Sequence, residues 1–136
     1  MSAKKEIKPK EIVLAFQKAW NAQDLKGVAA TFHPNLVYHH GDRDMNAKDF
    51  IEFAPSVFIA FPDQKYDIVK IIEEGDSCAV IYHWTGTNTG EFMGNPPTNK
   101  KVDNLILEVD IIKDGLFYES WARLDTLDMM RQLGFM

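Results

Sequence analysis

The sequence predicts an α+β fold: a cone-shaped barrel of curved, mostly antiparallel sheet with helices on its concave face. Three observations lead there. Apolar residues at helical spacing crowd the stretch up to Phe61, strand-like alternation takes over from Gln64 onward, and two turn signals, Gly75-Asp76 and Asp114-Gly115, join the strands as hairpins. With 136 residues, the chain is read as one domain spanning 1–136, with residues 1–8 as a frayed lead.

Pro9 suits a first helical turn, and Ile12, Ala15, Phe16, Ala19 and Trp20 then mark one helix face. Asp24 can cap a second, shorter helix with Leu25, Val28, Ala29 and Phe32 inward, and Pro34 ends it. Leu36 to His40 reads as a short strand closed by Gly41-Asp42. Asn46 can cap a third helix, in which Phe50, Phe53, Ala54, Val57, Phe58 and Phe61 form a stripe. Pro55 should kink or divide that helix, and Pro62 stops it. The Phe stripe is either a core face or a pocket wall.

Tyr66 to Glu74, Ser77 to Thr87, Val102 to Ile112 and Leu116 to Asp125 read as strands, with Gly90 to Asn99 a loop carrying Pro96-Pro97. In the last strand Phe117, Glu119, Trp121, Arg123 and Asp125 alternate with Leu116, Tyr118, Ser120, Ala122 and Leu124. The spacing of Leu127, Met130 and Leu133 then turns helical, and Gly134 reads as the stop. Asp125 therefore stands where a strand hands over to a helix. It is a candidate N-cap, and, beside Trp121 at a strand end, a candidate acid/base.

Composition narrows the function classes. Fifteen Lys and Arg against 20 Asp and Glu give a net charge of −5, which argues against non-specific nucleic-acid binding. No apolar run approaches the roughly 20 residues of a membrane span. The Lys-bearing lead has no apolar segment behind it, so it is not read as a signal peptide, and the protein is expected to be soluble and cytoplasmic. The single cysteine, Cys78, cannot form an internal disulfide and sits in an apolar run, where a packed thiol is expected. His39 and His40 are neighbours on a strand and face opposite ways, and His33 and His83 show no ligand spacing, so no metal site is expected. No Gly-x-Ser-x-Gly elbow occurs, and the Gly94 to Lys100 loop is no phosphate loop because its prolines remove amides.

Ala19 to Leu25, Phe32 to Gly41, Phe61-Pro62-Asp63, Glu74-Gly75-Asp76, Gly86 to Gly94, Pro96-Pro97-Thr98 and Trp121 through Gly134 form a set of stretches in a fixed order. Together they resemble the SnoaL-like polyketide cyclases of the nuclear transport factor 2-like superfamily. Order and spacing agree from about Trp20 to Gly134, nearly the whole chain. The resemblance implies a cone-shaped α+β barrel, a homodimer, a deep hydrophobic pocket, and no metal or organic cofactor. It also implies ring closure by intramolecular aldol condensation, with Asp125 as general acid/base and His40 as hydrogen-bond donor or proton relay. Two positions depart from the family pattern: Asn88 stands where a His is frequent, and Asn99 where a Gly is frequent.

Aldol chemistry asks for a desolvated carboxyl group, since burial raises its pKa and makes it a better base. Trp121 would desolvate Asp125, whereas Arg123 would hold it ionised. Trp20, Tyr38, Phe53, Trp84 and Asn88, with Trp121 and Arg123, are candidate ligand-binding residues. The expected partner is a small, apolar, carbonyl-bearing molecule. The alternatives are a non-catalytic binder of hydrophobic ligands and a cofactor-free hydrolase or isomerase. A hydrolase would need a second acid, Asp110 or Glu108. Apolar residues on both faces of the 102–112 strand predict a homodimer through the sheet.

Overall fold

The computed structural model describes residues 7–41 and 43–136. Most of the expected lead and Asp42 of the expected Gly41-Asp42 turn lie outside them. The elements run α1 (Pro9–Asn21), α2 (Leu25–Ala29), β1 (Phe32–His40), β2 (Arg43–Met45), α3 (Ala47–Ala60), β3 (Lys65–Glu74), β4 (Ser77–Thr87), β5 (Lys101–Lys113), β6 (Leu116–Leu124) and α4 (Thr126–Gln132). One curved six-stranded sheet has the order β2-β1-β6-β5-β4-β3, with β1 and β6 parallel and the other pairs antiparallel. The expected α+β class is thus the observed one.

Local chemistry sets the boundaries. Asp24 caps α2 by accepting from the Gly27 amide, and Asn46 with Asp49 forms a reciprocal capping box on α3. Asp114 and Gly115 both have positive φ, 54° and 73°, the conformation a two-residue hairpin demands. Gly134, at φ 79°, follows α4 as its stop.

Three expectations need correction. α3 is not divided at Pro55, which leaves it one backbone bond short, and next to it the Ser56 hydroxyl donates to the Phe53 carbonyl at 2.7 Å. β1 begins at Phe32 rather than Leu36 and carries Pro34 within it, because β2 pairs only with residues 38–40 and leaves that stretch with an unpaired edge. In β6 the expected face is broken by a bulge. Ile111 pairs with Glu119 and Ile112 with Phe117, so Tyr118 is the extra residue. Phe117 therefore points inward with Ser120 and Ala122, while Trp121 and Arg123 point outward.

The core lies between the helices and the sheet. Phe16 and Trp20 of α1 stack at 5.8 Å, and Phe32, Phe50, Phe117 and Tyr82 pack around Phe16. Phe50, Ala54 and Val57 of the α3 stripe are buried, whereas Phe53 and Phe58 are half-buried.

Candidate active site

Strand β5 carries apolar residues on both faces, and its inner face also holds polar side chains. Leu105, Leu107 and Val109 are exposed, and Asn104, Glu108 and Asp110 are buried. The cross-strand register arranges the inner face in rows. Tyr38, Ser120, Asp110 and Cys78 form one row, and His40, Ala122, Glu108 and Val80 the next. Ile106 and Tyr82 follow, then Asn104, Trp84 and Tyr66.

Glu108, 7% exposed, and Asp110, fully buried, are therefore two carboxyl groups side by side in an aromatic interior. Tyr38 Oη donates to Glu108 Oε1 at 3.1 Å. To reach it the ring crosses above β6, whose residues there, Ser120 and Ala122, are small. A void of about 10 Å³ remains between Tyr38, Glu108, Ser120, Phe16, Phe32 and Phe117, space for about one water. Cys78 Sγ donates to Asp110 Oδ2 at 3.7 Å, while Asp110 Oδ1 has no hydrogen-bond partner.

Burial dominates the electrostatics. It pushes the Glu108 carboxyl well above its ordinary value, Asp110 adds to this, and the Tyr38 hydrogen bond opposes it. Burial raises Asp110 to about 6, held back by Ser120, Glu108 and Cys78. Two close carboxyl groups in a dry site cannot both ionise cheaply, so the two titrate as a pair and each holds a proton more tightly than an ordinary carboxyl group. Burial and the Glu108 charge raise the phenols of Tyr38, Tyr66 and Tyr82.

The sequence-derived candidates separate into four places. Tyr38, His40 and Phe53 come together at the rim of this interior: Tyr38 stacks on His40 at 5.9 Å, and His40 lies 6.0 Å from Phe53, all three half-buried. Trp20 and Trp84 are core, with Trp20 Nε1 donating to Gln64 Oε1 at 2.8 Å. Asn88 spends its side chain on the protein itself. It donates to the Ala60 and Gly90 carbonyls and accepts from the Thr98 amide and hydroxyl, which uses all its bonding capacity to clamp the 88–100 loop to the end of α3.

Asp125, Arg123 and Trp121 belong to the outer face. Asp125 is exposed and caps α4 by accepting from the Asp128 amide at 2.9 Å, so the expected desolvated cavity position is not the one it occupies. The chain leaves the sheet at Leu124, and the cap turns the carboxylate outward into an open groove of about 490 Å³ shared with His83, Asp103, Leu105, Leu107 and Arg123. Arg123 Nη1 donates to the Ala122 and His39 carbonyls rather than to Asp125. Trp121 stacks on His39, which bridges Asp44 and Glu119 at 2.6 and 2.8 Å. Among the described residues no three His, Cys, Asp or Glu side chains converge as a metal site, and no helix is long and apolar enough to cross a membrane.

Sequence reasoning placed Glu108 and Asp110 only as auxiliary acids. Their signal is the alternation of β5, in which the acids share a face with Ile106 and Ile112.

A curved six-stranded sheet packed against helices, with an ionisable pair buried on its inner face, is a nuclear transport factor 2-like arrangement. The family model of the SnoaL-like polyketide cyclases matches residues 10–133, and the chain belongs to that family. It is similar to the crystal structure of AclR from Streptomyces galilaeus, described as a candidate hydroxylase, at 29% identity over 93% of this chain and 96% of that one, with a TM-score of 0.85. It is also similar to IdmH from Streptomyces antibioticus, a candidate polyketide cyclase, at 26% identity over 93% and 98% of the two chains, with a TM-score of 0.82. A SnoaL-like protein from Jannaschia sp. CCS1 shares the fold at 24% identity over 98% and 97% of the chains, with a TM-score of 0.84. No curated protein gives a significant match.

Proposed function

We propose that the chain is an acid–base enzyme of the polyketide cyclase type, in which Glu108 moves the proton and an apolar, carbonyl-bearing molecule is the substrate. The observation that carries this is the Glu108–Asp110 pair, buried on the inner sheet face beneath Tyr38. Buried carboxyl groups without a countercharge cost stability, and a fold that keeps two side by side in an aromatic interior has a candidate reactive centre there. The similarity to IdmH supports ring closure as the reaction class.

Ionised, Glu108 takes a proton from a carbon flanked by carbonyls. Protonated, it returns that proton to the alkoxide formed on ring closure. Asp110 keeps its affinity for a proton high. His40 stands in the same row with only Ala122 between, a gap in which the substrate's reacting carbon sits once Tyr38 has swung aside. Tyr38, His40 and Phe53, all half-buried, are the side chains whose movement opens that gap. Asp125 keeps its role as helix cap. The molecule works as a homodimer joined through the outer sheet face, where Leu105, Leu107 and Val109 are exposed side by side on β5, with Ile72 at the β3 edge.

The test is deuterium incorporation from D₂O into ethyl benzoylacetate, an apolar β-keto ester, followed by NMR. Glu108→Gln is expected to slow the protein-dependent exchange by roughly 10²–10⁴, the usual contribution of a general acid/base. Asp125→Asn is expected to leave it unchanged. Full exchange in Glu108→Gln, or its loss in Asp125→Asn, would return the role to Asp125 or remove it from both.

A further inference from the structure

Three buried side-chain polar atoms among the described residues have no hydrogen-bond partner: Tyr82 Oη, Trp84 Nε1 and Asp110 Oδ1. All three belong to the inner sheet face. Tyr82 is fully buried and Trp84 is 5% exposed. They are alternate residues of β4 and so point the same way, roughly 6–7 Å apart along the strand. Val80 pairs with Glu108 and Tyr82 with Ile106, which places Tyr82 diagonally next to Glu108. Trp84 lies one row further on, between Asn104 and Tyr66. A proton-moving group and two unused donors thus follow one another down the inside of the sheet.

Unused donors in a dry core are costly, and folded proteins rarely keep them without a use. The other indole of this core shows the usual solution: Trp20 Nε1 is matched by Gln64 Oε1. Tyr38 shows the same for a phenol, with Glu108 as acceptor. Tyr82 and Trp84 have no such counterpart.

We infer that the Tyr82 hydroxyl and the Trp84 indole N–H are the polar contacts of the ligand, receiving two acceptor oxygens carried along an apolar skeleton. This rests on the acid–base reading for its place in the reaction. With the reacting carbon at Glu108, an oxygen on the adjoining carbon meets the Tyr82 hydroxyl, and negative charge developing there in the enolate is stabilised by that donor. An oxygen further along the skeleton meets Trp84. The phenyl and benzyl walls of Phe16, Phe61 and Tyr66 cover the apolar parts between them. Selectivity follows from the donors: a ligand without oxygens at this spacing leaves them unmatched, while a matching one relieves a cost already present in the empty protein.

The probes are 1,5-diphenylpentane-1,3,5-trione and its hydrocarbon counterpart 1,5-diphenylpentane, titrated calorimetrically into the full-length protein and its Tyr82→Phe and Trp84→Phe variants. The wild type is expected to bind the trione more tightly than the hydrocarbon. Tyr82→Phe is expected to weaken the trione roughly 3- to 10-fold, the worth of one net hydrogen bond, and to leave the hydrocarbon unchanged. Because it removes an unmatched donor, it is also expected to melt at or above the wild-type temperature without ligand. Tyr38→Phe, which breaks an existing bond to Glu108, is expected to melt lower. For Trp84→Phe, which also removes volume, the ratio of trione to hydrocarbon affinity is the readout, and it is expected to fall.

A wild type that does not prefer the trione overturns the inference. So does a Tyr82→Phe variant that binds the trione normally, or one whose melting temperature drops as far as that of Tyr38→Phe. The two proposals fail separately. If exchange depends on Glu108 but trione binding ignores Tyr82, the donor assignment falls and the acid–base reading stands. If trione binding depends on Tyr82 but Glu108→Gln exchanges normally, the donor assignment stands and the acid–base assignment falls.

Discussion

Replacing Asp110 by Asn keeps the shape of the side chain and removes its titration. In the folded protein burial raises Asp110 from 3.8 to about 6. That is about 2 pKa units, worth roughly 3 kcal/mol at about 1.4 kcal/mol per unit. The folded state binds this proton more tightly than the unfolded chain. The stability it confers is therefore complete below about pH 4 and is lost as the pH rises through about 6. Glu108, also raised, acts in the same direction. His39, whose pKa is raised chiefly by Glu119 and then Asp44, loses its contribution above its ordinary value of 6.5, a later window and a solvent-screened one. Urea unfolding of wild type and Asp110→Asn from pH 4.5 to 8 cancels the His39 share, which is common to both, and reads Asp110 together with its influence on Glu108. The variant should gain on the wild type with rising pH, by about 2 kcal/mol across that range, because pH 4.5 already lies above the unfolded value of 3.8 and part of the total is lost before the range begins. Equal pH slopes in the two proteins would show that Asp110 titrates normally and is not in the dry environment described for it.

Three further outcomes follow from the same geometry. Asp125→Ala should cost roughly 0.5–2 kcal/mol by uncapping α4 while Asp125→Asn costs little, since Asn caps about as well; equal thermal melts for the two would remove the cap. Asn88→Ala leaves the Thr98 amide and the Gly90 carbonyl short of a partner and should cost about 2–4 kcal/mol in chemical denaturation, with faster hydrogen exchange across residues 88–100. Leu107→Glu places a charge in the exposed apolar face and should convert the proposed dimer to a monomer near 15.6 kDa in light scattering; a wild type that is itself monomeric at micromolar concentration would refute assembly through this face.

Much of this protein was legible in the sequence because it rests on local rules. The Asn46 and Asp24 caps, the Asp114-Gly115 hairpin and the Gly134 stop are settled within a few residues by hydrogen-bond geometry and by the φ angles those residues tolerate. The Ile12 to Trp20 stripe and the alternation of β4 follow from the helix and strand periods alone, and the α+β class follows from their order. What tertiary structure decided is which face of each strand looks inward. β5 carries apolar residues on both faces, so period two could not choose; packing put Glu108 and Asp110 inside and Leu105, Leu107 and Val109 outside. A single extra residue at Tyr118 then inverted the expected face of β6, sending Trp121 and Arg123 outward and leaving Asp125 to cap α4 in the outer groove. Register and bulges are fixed by pairing between strands far apart in the chain. A candidate site read along one strand can therefore name the right kinds of residue and still place them on the wrong side of the sheet.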